Sequence, residues 1–200
     1  MVFFCLLWVP LIYLLRRSFS ESSSSGIWAL LLGSIIAIVQ FFLGYLVSPG
    51  GFGFSRFLFG FIEIASLPVL IPFVFYLIIL LFKRFNDDID FANFALLWLI
   101  PVGALRALSW SSTNDPILLV MAPLLWTALA VGIPFFINLI RDNLRWYVII
   151  ASVIGILLLP VLACATYWAF FSQQELLGFA LLIATHIPIV LSLFFDIRRV

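Results

Sequence analysis

The sequence predicts an all-α integral membrane protein, a polytopic bundle of seven transmembrane helices kinked by prolines. Of its 200 residues, 66% are hydrophobic and only 10% are charged, whereas a soluble domain is about a quarter charged. The apolar residues come in runs of about twenty, the length that an α-helix needs to cross a hydrocarbon core about 30 Å thick. No run shows the period-two alternation of a membrane β-barrel strand, so we expect a helical bundle.

Short breaks with charges and turn-forming residues separate the apolar segments. No break is long enough for a soluble domain, so we expect residues 1–200 to form a single transmembrane domain and exclude functions that need an appended one. The first segment is only about 21 Å long as a helix, so the bundle has six spans if this segment does not cross. The predicted segments are 2–15, 27–47, 57–82, 91–110, 117–140, 147–171 and 176–195.

The positive charges predict the orientation, because cytoplasmic loops carry an excess of Lys and Arg. Only Arg56 and Arg106 lie toward the opposite set of breaks. We therefore expect a cytoplasmic C-terminus, an outer N-terminus if the first segment spans, and a multi-pass protein of the cytoplasmic (plasma) membrane. The remaining basic residues occupy alternate breaks and the C-terminus: Arg16, Arg17, Lys83, Arg84, Arg141, Arg145, Arg198 and Arg199.

Proline placement indicates an internal repeat. Pro72, Pro134 and Pro188 each follow an isoleucine in a segment that runs toward the cytoplasm. They fit a helix hairpin repeated about every sixty residues, two three-helix repeats joined by a linker helix, or simple kinks for packing. The seven-helix plan resembles that of the sugar-transporting seven-helix family, but that family's Pro-Gln dipeptide is absent here, so none of its residues is transferred.

Polar residues within the apolar segments are the candidate binding residues, because a charged group at the centre of a membrane helix costs about 2.5–3.5 kcal/mol on insertion scales. Gln40 shares a helix face with Ala29, Gly33, Ala37 and Gly44, which are small enough to let another helix approach closely. We expect Gln40 to point into the bundle, where it forms an interhelical hydrogen bond or part of a site.

Glu63 and Arg106 lie at similar depths in consecutive, antiparallel segments, about one third of the way in from the outer surface. An ion pair between them is geometrically easy, and a binding role for a ligand or ion is the alternative. In a third interpretation, Arg106 extends to the outer interface and Glu63 is protonated.

His186, the only histidine, lies near the midplane of the last segment. Thr185 and the carbonyl of Ala184, freed by Pro188, can satisfy a neutral ring, and the alternative is a proton acceptor for transport. No second ligand-type residue has helical spacing to His186, so we expect no metal site and no other cofactor.

We expect Gln40, Glu63 and Arg106 to cluster at one depth around a cavity open to the outside. His186 is expected beneath them, with Thr166 or Tyr167 contributing. The glycine-rich loop 48–56 would act as an apolar lid or dip into the interface.

Three functions fit these expectations. The first is a small-solute transporter or membrane-embedded substrate-binding subunit, whose site is Gln40, Glu63, Arg106 and His186. The second is a non-catalytic scaffold or subunit of a membrane complex, docking through an exposed small-residue groove, for which segment 27–47 is one candidate. The third is an intramembrane enzyme for lipid or peptide with Glu63 and His186 as acid and base, which we do not favour because the chain lacks GxSxG and HExxH motifs.

The expected partners follow from the same composition. The lipid bilayer surrounds the chain, and a small solute or another membrane subunit binds it. The net charge of +1 and the lack of basic tracts longer than two residues argue against nucleic acid.

Overall fold

Six α-helices and one π-helix make up the part of the chain that the computed structural model describes, residues 23–46, 57–58, 60–81, 97–105, 116–142 and 144–197. Within these ranges 96% of the residues are helical and none forms a strand. The elements are α1 (Ser23–Leu46), the π-helix (Phe61–Leu70), α2 (Ile71–Leu81), α3 (97–105), α4 (Pro116–Asp142), α5 (Trp146–Phe171) and α6 (Glu175–Ile197).

The predicted all-helical class is confirmed, and among the described residues three helices are long and apolar enough to cross a membrane: Phe61–Ile78, Met121–Arg141 and Trp146–Phe171. Trp28–Phe42 and Glu175–Leu191 form shorter apolar helical stretches. The predicted segment 2–15 and the loop 48–56 lie outside the described residues. The count of seven spans and their orientation therefore stay predictions.

Helix α4 is the centre of the bundle. From Met121 to Pro134 every side chain except Leu124 is buried, so the helix is covered on all sides. Such burial requires a helix that is apolar all round. Helix α4 contacts α5, α6 and the π-helix, and these surround it.

Glycines set the close approach between α4 and its neighbours. A Cβ at Gly132 would lie 2.5 Å from Leu159 of α5 and 3.4 Å from Pro188 of α6. A Cβ at Gly155 of α5 would meet the ring of Phe136. Because 132 pairs with 159 and 136 with 155, α4 and α5 run antiparallel.

Two prolines four residues apart explain why the chain forms a π-helix between Phe61 and Leu70. In an α-helix a proline ring collides with the carbonyl four residues earlier, and it offers no N–H. Pro68 and Pro72 would create that conflict twice in succession. The chain instead forms a wider turn, in which the Ile71 N–H donates to the carbonyl of Ser66, five residues back. Such π-helical turns are frequent at functional sites.

The small-residue face of α1 packs inside the bundle, as predicted. Ala29 and Ala37 are fully buried or nearly so, and a Cβ at Gly33 would collide with the Trp98 carbonyl oxygen and with Pro101 of α3. The described part of this face is therefore filled by the same chain. The prediction that it forms an exposed groove for a partner protein is wrong, because α3 occupies it.

The outer surface is apolar along the helices and aromatic near one end. Leu157 of α5 is 68% exposed and Ile183 of α6 is 70% exposed, which is typical of side chains that face lipid. At the start of α5, Trp146 and Tyr147 are exposed, and Arg145 Nη1 donates to the Tyr147 hydroxyl at 2.8 Å. Aromatic and basic side chains of this kind favour the membrane–water interface.

Candidate functional site

Glu63 lies in the first turn of the π-helix and is only 3% exposed. The hydroxyl of Tyr167, on α5, donates a hydrogen bond of 3.3 Å to Glu63 Oε2. This bond is long for an O–H donor and therefore weak, but it fixes the carboxyl group on the α5 side of the π-helix. A buried carboxyl group within an apolar helix is a candidate site by its energetic cost alone.

Gln40 of α1 reaches the same residue from another direction. Its Nε2 donates to the backbone carbonyl of Glu63 at 3.1 Å, and Gln40 itself is 5% exposed. In a π-helix the carbonyl of residue 63 would accept from the N–H of residue 68. Residue 68 is a proline, which has no N–H, so the Gln40 amide supplies a donor instead. The prediction that Gln40 points into the bundle is confirmed.

The ring of Tyr167 lies against the beginning of the π-helix. A Cβ at Gly60 would be 3.4 Å from Tyr167 Cδ1, so the glycine leaves room for the ring beside Glu63. Thr166, the neighbouring candidate, is fully buried, and its Oγ1 donates to the Leu162 carbonyl at 2.7 Å within α5. Of the two α5 candidates, Tyr167 is the one that contacts Glu63.

We call Gln40, Glu63 and Tyr167 the polar cluster. It joins α1, the π-helix and α5, and its two most polar members are buried. The sequence predicts a cavity open to the outside at this position, whereas these described side chains form a closed cluster in which Gln40 and Glu63 are buried. Arg106 lies outside the described residues, so its ion pair with Glu63 stays a prediction.

His186 occupies a different site, on α6. Its Nδ1 lies 2.8 Å from the carbonyl oxygen of Leu182 and 3.2 Å from Thr185 Oγ1. The predicted bond with Thr185 is confirmed, but the carbonyl is that of Leu182 and not that of Ala184. Ala184 lies two residues earlier, on the far side of the helix, whereas Leu182 lies four residues earlier, on the face toward which the ring turns.

The structure does not bring His186 to the polar cluster. Among the described residues α6 contacts α4 and α5 but not the π-helix. Pro188 lies level with Gly132 and Leu159, and Tyr167 is eight residues beyond Leu159 on α5, so His186 lies about 9 Å from the level of Tyr167 along the bundle axis. Within the described residues Glu63 and His186 therefore do not share one cavity and are not placed as an acid–base pair, whereas the contribution of Arg106 stays a prediction.

The chemistry available to the polar cluster is proton exchange and hydrogen bonding. The Glu63 carboxyl accepts when it is ionised and donates when it is protonated, and Tyr167 and Gln40 can each donate and accept. Within the described ranges no group of three His, Cys, Asp or Glu side chains is placed to hold a metal ion.

Comparison with protein-family models, with curated proteins and with solved structures finds no match for this chain. Its class therefore comes from its own sequence and geometry. The part of the chain that the structure describes is all-helical, and three of its helices have the length and composition of membrane spans, as expected of a membrane protein.

Proposed function

We propose that this chain is a multi-pass membrane protein that transports a small solute, or binds one as the membrane-embedded subunit of a transport system. The polar cluster is its binding site. The observation that carries the proposal is Glu63, which is buried in a π-helical turn of an apolar helix. Its carboxyl group accepts a hydrogen bond from Tyr167 of α5, and its backbone carbonyl accepts one from Gln40 of α1. Ionisable residues in that position are costly in a membrane and are retained mainly where they bind or move a substrate.

The side chains of the cluster favour a solute that carries hydrogen-bond donors. An ionised carboxylate only accepts hydrogen bonds, and a tyrosine hydroxyl oxygen and a glutamine amide oxygen are acceptors too. An amine or ammonium group complements this set, and its charge offsets that of the carboxylate inside the membrane. We therefore propose small organic amines as the solute class.

The π-helix supplies the movement that a closed site requires. Glu63 and Gln40 are buried, so a solute reaches them only when α1 or the π-helix moves. A π-helical turn has fewer regular hydrogen bonds around its prolines than an α-helix, and helices bend at such places. Pro68 and Pro72 form the hinge in this proposal.

For the orientation, we propose the C-terminus in the cytoplasm and seven spans in the plasma membrane. The test uses single cysteines at Leu144 and Gln174, two exposed positions at opposite ends of α5, in a chain whose native cysteines are replaced by alanine. A membrane-impermeant thiol reagent applied to intact cells is expected to label position 174 but not position 144. Labelling of position 144 alone would show that the orientation is the opposite of the one proposed. Equal labelling of both positions would contradict the proposal that α5 spans the membrane.

The functional test measures uptake of labelled amines into liposomes that contain the purified chain. Glu63→Gln keeps the size of the side chain and removes its charge, and Glu175→Gln makes the same change at an exposed position at the start of α6. We expect the wild type and Glu175→Gln to take up at least one amine, and Glu63→Gln to lose that uptake. Equal activity in all three proteins would overturn the role of Glu63.

A panel of sugars and carboxylates is measured beside the amines. Uptake of those solutes alone would overturn the amine class but not transport itself. If no solute is taken up and none stabilises the purified chain against heat, a non-catalytic scaffold in a membrane complex explains the chain better than a transporter.

A further inference from the structure

A groove of about 430 Å³ lies between α4 and α6, apart from the polar cluster. Leu124 of α4 lines one side, and the α6 side chains from Leu182 to Leu191 that face it line the other. His186 is the one polar residue among them. Ile183 and Ile187 at its edge are 70% and 51% exposed, so the groove opens toward the hydrocarbon. Its volume falls in the range of small-molecule sites.

The hydrogen bonds of His186 determine which ring nitrogen can meet a ligand. The Leu182 carbonyl can only accept, so Nδ1, at 2.8 Å from it, carries the proton of the neutral ring. Thr185 Oγ1 donates to the same carbonyl at 2.7 Å and therefore presents its lone pairs to Nδ1–H. In the neutral imidazole Nε2 is then an acceptor, on the ring edge opposite the backbone bond. Among the described residues Nε2 has no hydrogen-bond partner.

We propose that the groove binds a neutral, membrane-soluble molecule with a hydroxyl group, an alcohol or a phenol on an apolar body, and that the hydroxyl donates to His186 Nε2. His186 is eleven residues from the start of α6, about 16 Å along the helix and close to its middle. A charged phospholipid headgroup does not reach that depth, whereas a single hydroxyl is tolerated there when it is hydrogen-bonded.

The same acceptor argues against an apolar helix as the occupant. A helix face packed on the groove would bury Nε2 without a donor, which costs free energy that a hydroxyl ligand recovers. The inference does not depend on the polar cluster, because α6 and the π-helix are not in contact within the described residues.

The test measures binding to the purified wild-type chain in lipid nanodiscs, with three probes of matched shape: geranylgeraniol, its methyl ether and the parent hydrocarbon. Only the alcohol donates a hydrogen bond. We expect the alcohol to bind about 2- to 12-fold more tightly than the ether, the factor that corresponds to one net hydrogen bond. A quinol and its quinone form a second pair, in which the quinol is expected to bind more tightly. Comparison of the affinities of geranylgeraniol and the quinol then shows whether the groove prefers an alcohol or a phenol.

Two variants separate a hydrogen bond from general partitioning. His186→Leu keeps an apolar groove and is expected to bind alcohol and ether equally. Ile187→Trp places a large side chain at an exposed edge position, where folding is not threatened, and is expected to abolish binding of all three probes. Equal binding of alcohol and ether to the wild type, or a preference for the alcohol that survives His186→Leu, would overturn the proposal.

Discussion

The contact between α1 and α3 at Gly33 gives the sharpest prediction about stability. A Cβ at position 33 would lie 2.8 Å from Pro101 Cγ, about 0.6 Å inside the 3.4 Å at which ordinary contact begins, and closer still to the Trp98 carbonyl oxygen. A backbone oxygen and a proline ring cannot rotate away, so Gly33→Ala forces the two helices apart. Overpacking of this kind costs about 1–3 kcal/mol.

The matched control is Gly103→Ala on α3. There the new Cβ would lie 3.6 Å from Trp126 Cζ3, an ordinary van der Waals distance. Both variants gain about 1 kcal/mol from replacing a helical glycine, so this gain cancels when the two are compared. We expect Gly33→Ala to be less stable than Gly103→Ala by about 1–3 kcal/mol.

The assay is reversible unfolding of both variants in mixed micelles, followed by circular dichroism. Because Gln40 lies two turns from Gly33 on the same face of α1, about 10 Å away, the displacement also reaches the polar cluster. Equal stabilities for Gly33→Ala and Gly103→Ala would refute the close contact of α1 with α3.

Three further predictions concern the bundle and the cluster. Leu129→Ala removes a fully buried side chain of α4 and is expected to lower the unfolding free energy by about 2–5 kcal/mol through the cavity it leaves. Leu157→Ala, at a 68% exposed position, is expected to change it by less than about 0.5 kcal/mol. Tyr167→Phe removes the long hydrogen bond to Glu63 and is expected to cost about 0.5–1 kcal/mol and to weaken solute binding in the same assays. Gln173 has a φ of 59° in the turn between α5 and α6, so Gln173→Gly is expected to raise the unfolding free energy by up to about 1 kcal/mol, and a decrease would contradict strain at that turn.

The helices were predictable from the sequence because the apolar runs and the charged breaks are unusually clear. The predicted segments 117–140 and 147–171 match α4 and α5 within one or two residues. The burial of Gln40 also follows from the sequence, since the small residues on its face identify the side of α1 that another helix must approach.

The partners of the polar residues were harder to predict. Periodicity gives the depth of a residue but not the neighbour of its helix, so Glu63 and His186 were expected together although α4 and α5 lie between their helices. The sequence does contain one signal for the Gln40 contact. Pro68 follows Glu63 by five residues, so in a π-helix the carbonyl of Glu63 has no N–H donor and needs another one. This signal can be used only when the π-helix is already known.

The π-helix itself depends on two prolines four residues apart, Pro68 and Pro72. From the sequence, Pro72 fits either an internal repeat or a simple kink for packing. A widened π-helical turn is another way to relieve the clash between a proline ring and the carbonyl four residues earlier. Whether the helix kinks or widens depends on the packing of α1, α4 and α5 around it. The internal repeat stays a prediction.

The central claim is that the Glu63 carboxyl group is the part of the chain that meets the solute. The most direct measurement is an infrared difference spectrum of the chain in liposomes, recorded as the amine selected by the uptake screen is added. We expect a change in a carboxyl band in the wild type and in Glu175→Gln, a shifted band in Tyr167→Phe, and no such change in Glu63→Gln. A carboxyl change that persists in Glu63→Gln would contradict the account.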